Sequence, residues 1–128
     1  MNKACILIVE DERIIALDLR SKVSRLGYVV VGMAHTGQEA VRLAAELSPD
    51  LVLMDIILDG GMDGIEAATQ ILKARTVPVV FVSACNDLGT RERAELLGSA
   101  GFVSKPVDSR ELAERLNDAL QSIGGPDC

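Results

Sequence analysis

Short runs of consecutive apolar residues alternate along this chain with longer stretches in which apolar residues recur every three or four positions. Runs of the first kind are too short for helices and show no polar alternation, so they read as strands covered on both faces. Stretches of the second kind read as amphipathic helices. The first run, ACILIV at 4–9, is followed by a helix over 12–26 that has Ile15, Leu19, Val23 and Leu26 on one face and Gly27 as its stop. YVVVGMA at 28–34 is a second strand, and a helix from about 36 to 47 ends at Ser48-Pro49. LVLM at 51–54 is a third strand that delivers Asp55, and a glycine-rich loop leads to a helix over about 63–74. VPVVFV at 77–82 is a fourth strand, with Pro78 tolerable near its start. A helix over 87–97, interrupted by Gly89, precedes a short fifth strand at 100–103. The last helix covers about 109–122, with Leu112, Leu116, Ala119, Leu120 and Ile123 facing the core.

Five strand–helix units of this kind predict an α/β fold with a doubly wound parallel sheet and right-handed crossovers. In such sheets ligands bind beyond the carboxyl ends of the strands. The residues that follow strands one, three, four and five are therefore expected to converge.

Composition narrows the chemistry. At 128 residues there is room for one domain, and the 48% hydrophobic content can fill its core. With aromatics at 2% and no Trp, the core falls to Val, Ile, Leu and Ala, and base-stacking surfaces are disfavoured. A net charge of −6 argues against binding a phosphate backbone and for basic partners or cations. Cys5, Cys85 and Cys128 have no metal-ligand spacing, and their odd number suits a reducing compartment. Cys5 and Cys85 sit among apolar residues and are expected in the core. The apolar run at 4–9 is cut off by Glu10-Asp11-Glu12, so no signal peptide is visible, and no stretch approaches the roughly 20 apolar residues of a membrane span. These features place the chain in the cytoplasm, with no membrane partner.

The polar residues at the carboxyl ends are Glu10, Asp11 and Glu12 after strand one, Asp55 on strand three, Ser83 on strand four and Lys105-Pro106 after strand five. Taken singly, each has an ordinary explanation as a helix cap or a surface charge. Together they place carboxylates, a hydroxyl and an ammonium at one end of one sheet. Crowded carboxylates repel, and a hard cation with oxygen ligands relieves them. Mg²⁺ suits a site offering a few carboxylates, waters and a phosphate. A carboxylate so screened can attack a phosphoryl group, and a hydroxyl and a Lys can hold its oxygens.

ILIVEDE at 6–12, LVLMDI at 51–56, VSA at 82–84 and GFVSKP at 101–106 stand in the order and spacing of the response-regulator receiver domains, and the chain resembles that family over 1–123, leaving 124–128 as a flexible tail. The resemblance implies a flavodoxin-like fold, a five-stranded sheet in strand order 2-1-3-4-5 with five helices. It implies that Asp55 is the phosphoacceptor, with Glu10, Asp11 and the backbone carbonyl of Ile57 completing the Mg²⁺ site. Ser83 and Lys105 would hold the phosphoryl group. Phe102 would be the switch aromatic, the Lys105–Pro106 bond is often cis in the family, and the fourth helix, fifth strand and fifth helix would form the readout face. The implied donor is a histidine kinase or histidine phosphotransfer protein. Downstream lies an unspecified protein or output domain, with the chain a monomer or a phosphorylation-dependent dimer.

The loop at 56–64 departs from the commoner pattern. It resembles a subgroup with a DIxLxGxMDGIEAA-like stretch, found in receivers attached to sensor kinases or RNA-binding antitermination domains. Its extra glycines predict a longer, more mobile loop, in which Asp59 is either a solvated acid or a further acid near the metal. Ile57 and Cys85 are nonpolar where side chains flank the phosphoryl group, which predicts slow self-dephosphorylation. His35, Arg91, Glu92 and Arg93 read as solvated residues. Two other classes compete. An aspartyl-phosphate phosphatase needs a second Asp where Ile57 stands, and a flavin domain needs a Ser/Thr-rich phosphate loop after strand one. A receiver acting as an unphosphorylated interaction module remains a third alternative.

Overall fold

Strand β1 (Cys5–Val9) leads into helix α1 (Arg13–Arg25), and the alternation continues through β2 (Val29–Ala34), α2 (Gly37–Leu47), β3 (Leu51–Asp55), α3 (Gly64–Ala74), β4 (Val79–Ser83), α4 (Leu88–Leu96), β5 (Gly101–Ser104) and α5 (Ser109–Gln121). The structure, a computed structural model, describes residues 3–58, 60–84 and 88–121. Asp59, Cys85, the predicted start of the fourth helix at Asp87, Ile123, Cys128 and the tail at 124–128 lie outside the described residues. All strand pairings are parallel and the order is β2-β1-β3-β4-β5. The predicted element order is therefore observed, with ends displaced by one or two residues.

The pleat explains why the central strands carry no polar alternation. Successive side chains point to opposite faces. Leu7, Val9, Val52, Met54, Val79 and Phe81 enter one core with Ala40, Ala44, Ala67, Ala68 and Ile71 from α2 and α3. Ile6, Ile8, Leu51, Leu53, Val80 and Val82 enter a second core with Leu19, Val23, Leu112 and Leu116 from α1 and α5. Both faces are dry, so every position must be apolar. The helices facing the first core contribute chiefly alanines, which let helix and sheet approach closely. On α1 the buried residues are Ala16, Leu19 and Val23, while Ile15 and Leu26 are only partly covered. Cys5, expected in the core, is half-buried with a free thiol.

Local signals fix the helix starts. Thr36 accepts from the Glu39 amide at the head of α2. Asp63 and Glu66 form a reciprocal capping box at the head of α3, at 2.8 and 3.0 Å. Described residues of the glycine-rich loop before α3 make two hydrogen bonds that bear on its path. Gly60 and Gly61 both take positive φ, +97° and +86°, so the two glycines make a turn that other residues would strain. Gln38 Nε2 donates to the Gly60 carbonyl at 3.0 Å, and the Gly64 amide donates to the Ile56 carbonyl at 2.7 Å.

Leu53 is buried in the second core, whereas Leu17 on α1 is 57% exposed. Leu53→Ala is expected to cost about 2–5 kcal/mol in urea denaturation. Leu17→Ala should stay within about 0.5 kcal/mol of the parent.

Candidate functional site

Among the described residues, the buried polar or charged side chains are Glu10, Asp55 and Ser83. All three lie at the carboxyl ends of the strands. Glu10 follows β1, Asp55 closes β3 and Ser83 closes β4. Strand register brings them level: Asp55 pairs with Val82, next to Ser83, and Ser83 pairs with Ser104, next to Lys105. The Lys105 amide donates to the Ser83 carbonyl at 3.1 Å, and the Lys105–Pro106 bond is cis.

Lys105 joins the carboxylates. Its Nζ donates to Glu10 Oε1 at 2.9 Å and to Asp55 Oδ2 at 3.1 Å. Glu10 also accepts from the Glu12 amide at 3.1 Å, and Asp55 Oδ1 from the Ile57 amide at 3.4 Å. Burial holds both carboxyls above their ordinary pKa, and the hydrogen bonds and charge of Lys105 oppose that rise without cancelling it. For Lys105, burial alone would lower the pKa. The contacts with Glu10 and Asp55 outweigh burial and raise it.

Carboxylate oxygens of Glu10, Asp11 and Asp55 lie within 4.8 Å of one another. One ammonium thus pairs with two buried acids, and a third acid lies beside them. This is a hard, all-oxygen donor set with surplus negative charge, and it fits a divalent cation such as Mg²⁺. Ile57, whose amide reaches Asp55, is 64% exposed. Phe102 sits on β5, half-buried, 6.4 Å from Phe81 between ring centroids.

Some contributors escaped the sequence reading. Gly64 opens α3 directly over the end of β3, where any Cβ would collide with the carbonyl oxygen of Asp55. Its only sequence signal is the Asp63-Gly64 pair ahead of an apolar periodic stretch. His35 lies in the turn after β2, as expected, but is only partly exposed, and its Nδ1 lies 3.0 Å from the Glu10 carbonyl. That oxygen can only accept, so Nδ1 carries the proton. Arg91 and Arg93 are exposed, as expected of a solvated face, and both also have partners. Arg91 Cζ lies 4.3 Å from the centroid of the Phe102 ring, and Arg93 Nη2 lies 3.3 Å from Asp63 Oδ2. Nothing in the sequence around them signals these long-range contacts. The fourth helix also exposes Leu88 and Leu96, apolar surface that the sequence had not revealed there.

Comparison with known proteins gives a consistent picture. The family described as the response regulator receiver domain matches residues 6–117. The chain is 40% identical over 115 residues to the transcriptional regulatory protein PdtaR of Mycobacterium tuberculosis, covering 90% of this chain and 56% of that protein. It is likewise 40% identical over 117 residues to the phyllosphere-induced regulator PhyR of Methylorubrum extorquens, covering 90% of this chain and 43% of that one. The chain thus spans about half the length of these curated relatives. Among solved structures, the signal receiver domain of a modulated diguanylate cyclase from Desulfovibrio desulfuricans superposes with a TM-score of 0.89 at 36% identity, covering 94% of this chain and 96% of that one. The response regulator domain of Thermotoga maritima CheB gives 0.81 at 30%, with the same coverage. No helix among the described residues is long and apolar enough to cross a membrane.

The raised carboxyl pKa values set the sign of a pH dependence. The metal-free folded chain retains protons that the unfolded chain would release. Its stability therefore declines as pH rises from the ordinary carboxylate range through the folded values. Mg²⁺ needs the ionised carboxylates, so it is expected to raise the melting temperature at neutral pH and to lose that effect towards acid pH. The gain at a hundredfold excess over its dissociation constant is about 2.7 kcal/mol. Melting curves with and without Mg²⁺, for the parent and Glu10→Gln, check this.

Proposed function

The chain belongs to the response regulator receiver domain family, and from that premise we propose that it accepts a phosphoryl group on Asp55 and uses it to switch a partner or output domain. The family is one of signalling domains, and some of its relatives carry an enzyme in another part of the chain, such as the protein-glutamate methylesterase of Archaeoglobus fulgidus. The observation that carries the proposal is the gathering of the buried polar side chains, Glu10, Asp55 and Ser83, around Lys105 at one end of the sheet.

The donor is a phosphohistidine on a histidine kinase or phosphotransfer protein. An Asp55 carboxylate oxygen forms a bond to phosphorus as the P–N bond breaks, and the departing imidazole keeps the electron pair and takes up a proton. Glu10, Asp11, Asp55 and the Ile57 carbonyl are the residues that would hold Mg²⁺, which supplies charge neutralisation between the carboxylates and the phosphoryl oxygens. Lys105, already 3.1 Å from Asp55, transfers its contact to the new phosphoryl group. Ser83 donates a hydrogen bond to it from the end of β4. These contacts supply positioning and electrostatics, the main demands of phosphoryl transfer. The product carries about −1.5 to −2 charges where one carboxylate stood, enough to favour a second arrangement of the α4 region. Phe102 follows as the switch aromatic, and the surface of α4, β5 and α5 is read by the partner, with the chain itself a monomer or a phosphorylation-dependent dimer.

The domain extends over 1–123 in this reading and operates in the cytoplasm, where its donors reside. It turns over no external substrate and catalyses only its own phosphorylation and slow self-dephosphorylation. Ile57 supports the slow step, since an exposed aliphatic residue two positions after Asp55 orients no water. Substituting Ile57 by Asn should shorten the lifetime of the phosphorylated form, measured by loss of the adduct mass with time.

Intact mass after incubation with a small-molecule phosphodonor is the direct test. A single Mg²⁺-dependent phosphoryl adduct is expected in the parent and none in Asp55→Asn. Absence of an adduct under all conditions would favour an interaction module that works unphosphorylated.

A further inference from the structure

Helix α4 is poorly anchored by apolar burial. Its one buried residue is Ala94, while Leu88 and Leu96 are 73% and 88% exposed. Two arginines reach outward from α4 to its neighbours. Residues two apart on a helix point about 200° away from each other, so Arg91 and Arg93 leave α4 on opposite flanks. Arg91 stacks over Phe102 on β5, with Cζ 4.3 Å from the ring centroid. Arg93 pairs with Asp63, Nη2 to Oδ2 at 3.3 Å, at the end of the loop that runs from Asp55 to α3. Asp63 keeps its other oxygen on the Glu66 amide, so the N-cap and the ion pair use separate atoms.

We propose that Arg91 and Arg93 are positioning residues that hold α4 in the resting arrangement, and that their release sets how readily the site at Asp55 takes a phosphoryl group. This rests on the phosphoacceptor reading above and names its regulation in this chain. Arg93 fastens α4 to the loop that leaves Asp55. Arg91 fastens it to Phe102, whose strand ends at Ser104, next to Lys105. Both tethers therefore attach α4 to elements that also carry site residues, and movement at the site strains both. A side chain that stabilises only the resting arrangement lowers the apparent affinity for any ligand that selects the other arrangement, in proportion to the population it removes. Each tether lies at a partly solvated surface, where such contacts are weak, so each is expected to contribute about a threefold factor. Weak tethers suit a switch, because a stronger clasp would require more phosphoryl binding free energy to open.

The test uses beryllofluoride with Mg²⁺ as a phosphoryl mimic, with affinity measured by titration calorimetry on the whole chain. Arg93→Gln and Asp63→Asn should each tighten binding about threefold, Asn being chosen because it still caps α3. The double variant should match either single one, because both remove the same contact. Arg91→Gln should also tighten binding, with Arg91→Lys returning towards the parent because a cation is restored over the ring. A merely structural role would lower the melting temperature and leave the affinity unchanged, and that result overturns the proposal. Weaker binding in the variants would assign the tethers to the other arrangement and overturns it equally. Failure of the parent itself to bind the mimic would overturn the phosphoacceptor reading, and this proposal with it.

Discussion

One ammonium, Lys105 Nζ, lies between two buried carboxylates, 2.9 Å from Glu10 and 3.1 Å from Asp55, with Asp11 close by. Taking ions out of water costs several kcal/mol each unless they are paired and hydrogen-bonded. A single Lys cannot neutralise three acids. The raised carboxyl values express that shortfall: burial works against both charges, and Lys105 compensates only in part. The site therefore has a standing demand for positive charge, which a divalent cation can meet. In the proposed function the same cation would let an anionic phosphoryl group approach the Asp55 carboxylate. Residual destabilisation at this end of the sheet and phosphoryl chemistry share one electrostatic origin.

The rest of the fold holds that cluster in place. Parallel strands all end at the same edge, so β1, β3, β4 and β5 deliver their terminal residues side by side. Two apolar cores, one on each face of the sheet, fix the strand register that sets Asp55 level with Ser83 and Lys105. Gly64 lets α3 start directly against the Asp55 carbonyl, because a hydrogen fits where a methyl group does not. The His35 imidazole adds a hydrogen bond to the Glu10 backbone from the neighbouring edge strand. Rigidity is concentrated under the site.

Compliance is concentrated beside it. Helices α1, α3 and α5 each bury several side chains, whereas α4 buries Ala94 alone and leaves two leucines in solvent. An element with little buried apolar area has little to lose by moving. In α4 the chain has placed weak polar and cation–π contacts where its other helices have a core. Such contacts can be exchanged at small cost, which is what the proposed role of α4 in switching requires.

The sequence by itself determined the element order, the parallel doubly wound sheet and the end of it that carries the chemistry. The reason is local: uninterrupted apolar runs mean strands covered on both faces, and such strands leave polar residues only at their ends. It also placed Glu10, Asp11, Asp55, Ser83 and Lys105 together at that end, because each lies within two residues of the end of a strand. Only the tertiary structure decided what each polar side chain touches. Arg91 and Arg93 look like any exposed helical arginines until β5 and the head of α3 are brought against them. The turn that holds His35 gives no sign of its contact with the Glu10 carbonyl until β2 is paired with β1, and the positive φ values at Gly60 and Gly61 and the Gln38 contact likewise appear only in the fold. Periodicity along a chain encodes which face is buried, and it carries no information about the partner a long polar side chain reaches across the fold.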